Sequence, residues 1–149
     1  MLKQNIKPDW EHLYYEDMDR LGEIFEYALH QGYSMEIFVE QFMNSWIRES
    51  MDNWHPQFSN GPVQWTVYTF INDYPNIPLT HEENSYPYLS MRWIGMAYSF
   101  LSYYLNMPSK ELYSILPFEQ MVVNYGTGHE RSFESFANVF IEDYNRDVG

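Results

Sequence analysis

The stretch Trp93–Asn106, WIGMAYSFLSYYLN, carries no charged side chain, and extending it to Leu89–Met107 adds only Arg92. That is close to the roughly 20 residues a helix needs to span the hydrocarbon of a bilayer. Several features argue for burial inside a protein instead. Pro87 and Pro108 bracket the segment, and Arg92, Ser90, Ser99, Ser102 and Asn106 interrupt it. Its flanks lack the Lys and Arg clusters that orient membrane helices. A helix that is apolar most of the way round has to be covered by other elements. Residues 89–106 are therefore expected to form the hub of a helical bundle. Tyr98, Tyr103 and Tyr104 would reach its wetter edges, and Arg92 would need a partner.

The rest of the chain supplies elements to cover such a hub. Trp10, Leu13, Tyr14, Leu21, Phe25, Ala28 and Leu29 recur at helical spacing, predicting a first helix from an Asp9 N-cap to about Gln31 with Gly32 as its stop. Ser34 reads as the next N-cap, and Met35, Phe38, Val39, Phe42, Met43, Trp46 and Ile47 predict one helix to about Glu49. Residues 53–61 read as a loop. Residues 62–73 carry both alternating and helical apolar spacing; with no partner strand elsewhere, helix is the better reading. Residues 74–88 contain three prolines and read as a long loop. Beyond the hub, a short helix capped by Ser109 and stopped by Pro117, another ending at Gly126, and a last one from about Ser132 to Asp143 are expected. Residues 1–8 read as a flexible arm. A chain of 149 residues holds one domain comfortably. The expectation is a single all-α domain, 1–149, of about six or seven helices around residues 89–106.

Charge restricts the partners. Eight Lys and Arg against 21 Asp and Glu give a formal charge of −13, so phosphate backbones are repelled and direct nucleic-acid binding is disfavoured. A basic protein surface is the natural electrostatic partner. The most regular charge feature is Glu16, Asp19, Glu23 and Glu26, which fall at i, i+3, i+7 and i+10 and form one acidic stripe on the first helix. Like charges on one face cost helix stability, and Arg20 offsets only part of this. A solvated face explains such a stripe; so does a docking surface. Cysteine is absent, which removes disulfides, thiolate nucleophiles and Cys-ligated zinc. The first 20 residues lack the apolar core of a signal peptide, and a cytoplasmic setting is expected, with no membrane association.

Catalytic signatures are missing. His12, His30, His55, His81 and His129 show no metal-ligand spacing. No G-x-S-x-G occurs, and GTGHE at 126–130 lacks the Lys of a phosphate loop. No catalytic residue, metal or cofactor is expected.

The segments EYALHQGYSMEIFVEQFMNS (26–45) and RWIGMAYSFLSYYLNMPSKELYSILPFEQMVVNYGTGH (92–129) resemble a group of small, acidic, uncharacterised bacterial proteins. That group shares a GYSME-x-F helix start, a Tyr-rich WIG helix and a PSK-x-LY turn. The resemblance covers about three quarters of the chain and implies a gene beside toxin–antitoxin-type genes, including ADP-ribosyltransferase-like ones. It carries no functional residues across. With the acidity and the aromatic excess, it leads to an interaction protein: an antitoxin- or immunity-like inhibitor of a partner with a basic surface. Glu16, Asp19, Glu23, Glu26 and Arg92 are its candidate contacts. Two alternatives stand beside it. One is a nucleic-acid mimic that blocks a defence nuclease. The other is a small enzyme using His81 or His129 beside the 74–88 loop. Oligomeric state is not legible.

Overall fold

Nothing in the fold is as thoroughly covered as the helix that holds the uncharged stretch. In the computed structural model, which describes residues 1–148, it forms α6 (Ser90–Leu105), and 13 of its 16 residues are buried. Around it lie α1 (Tyr14–His30), α2 (Met35–Met43), α3 (Trp46–Asp52), α4 (Pro56–Ser59), α5 (Val63–Asp73), α7 (Ser109–Ile115), α8 (Phe118–Gly128) and α9 (Phe133–Val148). The domain is all-α, with nine helices among the described residues and one isolated bridge, Tyr33 to Leu79. None of these helices is long and apolar enough to cross a membrane.

The central pair is α1 and α6. Their crossing runs through two glycines. A Cβ on Gly95 would stand 2.5 Å from the Leu21 carbonyl oxygen and 2.7 Å from Gly22 Cα, and one on Gly22 would stand 2.8 Å from the Arg92 carbonyl oxygen. The backbones meet directly, so a bare Cα on each helix is a requirement of the fold. Beside this crossing, Phe25, Phe38, Phe42 and Phe70 bring α1, α2 and α5 together through ring contacts of 5.0–6.4 Å. These offset and edge-on geometries are the preferred ones for aromatic pairs.

Several helix boundaries differ from the sequence expectation, each for a local reason. Asp9 does not cap α1; it takes φ +65°, Trp10–Leu13 make a turn, and Leu13 is the N-cap. The predicted helix 35–49 is two helices. Ser45 ends the first by donating to the Phe42 carbonyl and caps the second by accepting from the Arg48 N–H, an alternative to ladder bonding that serine readily offers. Ser34 gives α2 no side-chain cap; Glu82, from the 74–88 loop, accepts from the Met35 N–H at 2.8 Å. The 53–61 loop contains the single turn α4. Residues 62–73 are helical, as α5. Ser109 is the first residue of α7, with Pro108 as N-cap. α8 runs past Gly126 to Gly128, where a Cβ would meet the Trp93 ring at 2.9 Å, so Gly128 serves packing. α9 continues beyond Asp143 to Val148. Gly32 does stop α1, with φ +91° and the Tyr33 N–H returning to the Ala28 carbonyl, a Schellman-type end.

The two expected irregular segments are tied down. The 1–8 arm donates from Asn5 and Lys7 N–H groups to the Tyr104 and Tyr103 carbonyls. These lie in the last turn of α6, where carbonyls lack the full set of helical partners; Tyr103 also accepts from the Asn106 N–H. Asn145 holds Leu2 through both its amide oxygen and its amide nitrogen, each at 2.8 Å. The 74–88 loop bonds back to the α1–α2 connection through Thr80, His81 and Ser34, and it buries Ile77.

The tyrosines give the fold a pH limit. Burial, with Glu82 adding, pushes the Tyr86 phenol up to about 12. Burial likewise pushes Tyr113 up to about 12, and Tyr98 well above its ordinary value. Unfolded tyrosine titrates near pH 10. Between about pH 10 and 12 the unfolded chain sheds protons that the folded chain keeps, so stability falls as pH rises. The stabilisation is fully present below about pH 10. The urea midpoint should therefore drop through this window, with a late-titrating fraction in tyrosinate absorbance. A flat midpoint from pH 9 to 11.5 (roughly spanning that window) would contradict it.

Candidate functional site

The acidic stripe survives folding as a surface feature, in altered form. Glu16, Asp19 and Glu23 are exposed along α1, and Glu26 is half-buried. Arg92 reaches Glu26 from α6, Nε to Oε2 at 2.6 Å. Its pKa is raised by that hydrogen bond first, with the Glu26, Glu23 and Asp19 charges adding. Arg92 thus has its partner, and that partner is the last member of the stripe. Arg20 is four residues after Glu16 but turns away, donating from Nη2 to the Gly61 carbonyl at 2.9 Å. Among the described residues, Glu16, Asp19 and Glu23 have no ion-pair partner.

The N-terminal end of this row runs into an aromatic cleft of about 410 Å³ between α1, α6, the arm and the start of α9. The Tyr14 ring lies 4.3 Å from Tyr103 and 4.1 Å from Tyr15, centroid to centroid. Two rings at that spacing cannot share one face, so the three form a stack. Phe100 closes the floor against Phe133 at 5.8 Å. Tyr15, 64% exposed, is its outermost ring. Burial, then Tyr15, Tyr103 and Glu134, push the Tyr14 phenol up to about 12.

The most strongly ionic cluster lies in the interior and was missed by sequence reasoning. Arg48 and Asp17, 1% and 2% exposed, pair at 2.9 Å. The contact is bidentate, Nη1 to Oδ1 and Nη2 to Oδ2, at 3.0 and 2.9 Å. Arg48 Nε donates to Ser109 Oγ at 2.9 Å, and Ser109 donates to Asp52 from both its hydroxyl and its backbone N–H. Ser99 donates to Asp17. Burial disfavours the Arg48 charge, but Asp17 and Asp52 outweigh it and raise its pKa. Lys7 donates to the Asp52 carbonyl; burial lowers its pKa, and Asp52 partly offsets this. A cleft of about 520 Å³ opens beside Lys7 and Asp52, where Asn44, Asn53 and Asn106 end α2, α3 and α6. Asp17 of α1, Arg48 and Asp52 of α3, Ser99 of α6 and Ser109 of α7 join in one buried network that ties the four helices together. A signal for it existed: Asp17 falls between Tyr14 and Leu21 on the apolar stripe of α1, where a carboxylate requires a cation.

The histidines do not converge. His81, exposed, lies 3.9 Å from Glu83, which is half-buried. His129 stacks on Tyr125 at 4.3 Å. Among the described residues no three His, Asp or Glu side chains come together in a geometry that could hold a metal ion. A second acidic group lies at the starts of α2 and α8: Glu36 is raised by a hydrogen bond with Glu119 first, then by its charge. Helix N-termini favour negative charge at both positions. Compared with protein-family models, curated proteins and solved structures, the chain finds no match.

Proposed function

We propose that this protein is an interaction module that holds a basic protein partner against α1, as an antitoxin- or immunity-like inhibitor in the cytoplasm. The observation that carries the reading is the row Glu16, Asp19 and Glu23, exposed and without ion pairs while the neighbouring Arg20 is used elsewhere. Such a row raises association rates and makes them salt-sensitive. The Glu16-to-Glu23 span is about 10 Å at the rise of an α-helix. Beyond it, Arg92 neutralises Glu26. About 10 Å matches only about three phosphates of one DNA strand, so the row supports a compact basic patch over a nucleic-acid track.

The test is co-expression with the product of the adjoining gene. The pair is expected to co-elute and to come apart as salt is raised. Glu16→Gln, Asp19→Asn and Glu23→Gln together should weaken association by about tenfold or more, the effect of about 1.4 kcal/mol, and should lose relief of growth arrest. Failure to co-elute, or a triple variant that binds as well as wild type, would overturn the reading.

A further inference from the structure

We infer that the tyrosine cleft at the end of the acidic row receives an arginine side chain of the partner. This rests on the docking reading and deepens it. Four observations point to a cationic occupant. The rings of Tyr14, Tyr15, Tyr103, Phe100 and Phe133 line the cleft, Tyr15 is the exposed end of the stack, and no Lys or Arg lines it. Aromatic faces are the negative side of the ring quadrupole and attract a cation. Its one charged lining residue is an acid, Glu134, in the first turn of α9. Tyr15 lies one helical turn before Asp19, at i and i+4 on α1, so the exposed ring neighbours the charge row.

Arginine fits better than lysine. A guanidinium is planar and weakly hydrated, so it stacks on a ring while its edge N–H groups still reach acceptors. Here the outer face of Tyr15 is open and the Glu134 carboxylate lies at the rim. A lysine ammonium would have to shed more water to enter. An exposed Tyr beside a desolvated floor is the setting in which a few residues carry most of an interface's affinity.

The test is titration of the isotope-labelled protein with N-acetyl-arginine amide and with its neutral citrulline counterpart, followed by backbone NMR shifts. The arginine compound is expected to give saturable shifts confined to the surroundings of Tyr15, Tyr103 and Phe133. Citrulline should bind about tenfold more weakly, as expected for loss of the cation. Tyr15→Ala, an exposed position whose removal leaves the core intact, should weaken arginine binding by a similar factor, and Glu134→Gln should weaken it in the same direction. The triple row variant, which removes charge without touching the cleft's lining, should weaken it less than Tyr15→Ala does. No saturable shift, or equal binding of citrulline, would overturn the cleft assignment. An arginine-rich peptide separates the two ideas. If its binding is lost in the row variant but not in Tyr15→Ala, docking stands and the cleft assignment falls.

Discussion

Replacing Arg48 by Met is expected to destabilise the fold by about 3–5 kcal/mol, because it strands two buried carboxylates without their cation. Asp17 would lose both arms of a bidentate pair, and Asp52 would lose the charge 3.4 Å from its Oδ1. At roughly 3 °C per kcal/mol for a chain of this size, the melting temperature should fall by about 10–15 °C. The effect should be strongly non-additive. Asp17→Leu in the Arg48→Met background removes one stranded charge and should restore at least about 1 kcal/mol. Chemical denaturation of the single and double variants measures this. Additive losses would mean that Arg48 and Asp17 act independently, against the geometry of the pair.

The second large effect is expected at Gly95. A methyl group there would overlap the Leu21 carbonyl, a backbone atom that cannot rotate away. Gly95→Ala should force α1 and α6 apart and cost about 3 kcal/mol, although alanine is the better helix former. Gly126→Ala is the matched contrast. Gly126 also lies within a helix, α8, but nothing stands within 4 Å of its would-be Cβ. There the substitution should stabilise by about 0.5–1 kcal/mol. Thermal melts of the two variants should move in opposite directions. A neutral Gly95→Ala would show that the helix crossing tolerates a wider separation.

These two sites show what sequence pattern can and cannot carry. The hub helix was legible because it is apolar nearly all round, a property that does not depend on its neighbours. The amphipathic faces of α1 and α2 were legible for the same reason, since 3.6-residue periodicity is local. The break at Asn44–Ser45 was not. The apolar spacing runs unbroken from Met35 to Ile47, and what favours the break is a serine cap together with a turn that aims Arg48 at Asp17, 31 positions away. Glu82 capping α2 is another distant partner, 47 residues downstream of Met35. The arm was read as flexible because its sequence is polar, yet its N–H groups bond to carbonyls in the last turn of α6, a partner about 100 positions away.

The candidate surface divides in the same way. Regular spacing was enough to find the acidic stripe, and the side of α1 opposite its apolar face could only be outward. Whether each charge is free or spent depended on where α6 and the 61 turn placed Arg92 and Gly61. The aromatic cleft had no signature in the sequence at all. Tyr14 and Tyr15 are adjacent, but Tyr103 and Phe133 reach them from other helices. Sequence alone determined an all-α chain with a largely apolar central helix and an acidic first helix, since composition and periodicity are properties of single segments. Only the tertiary structure decided which glycines let backbones touch, which carboxylates are paired, and where tyrosines stack, because each of those is a distance between residues far apart in the chain.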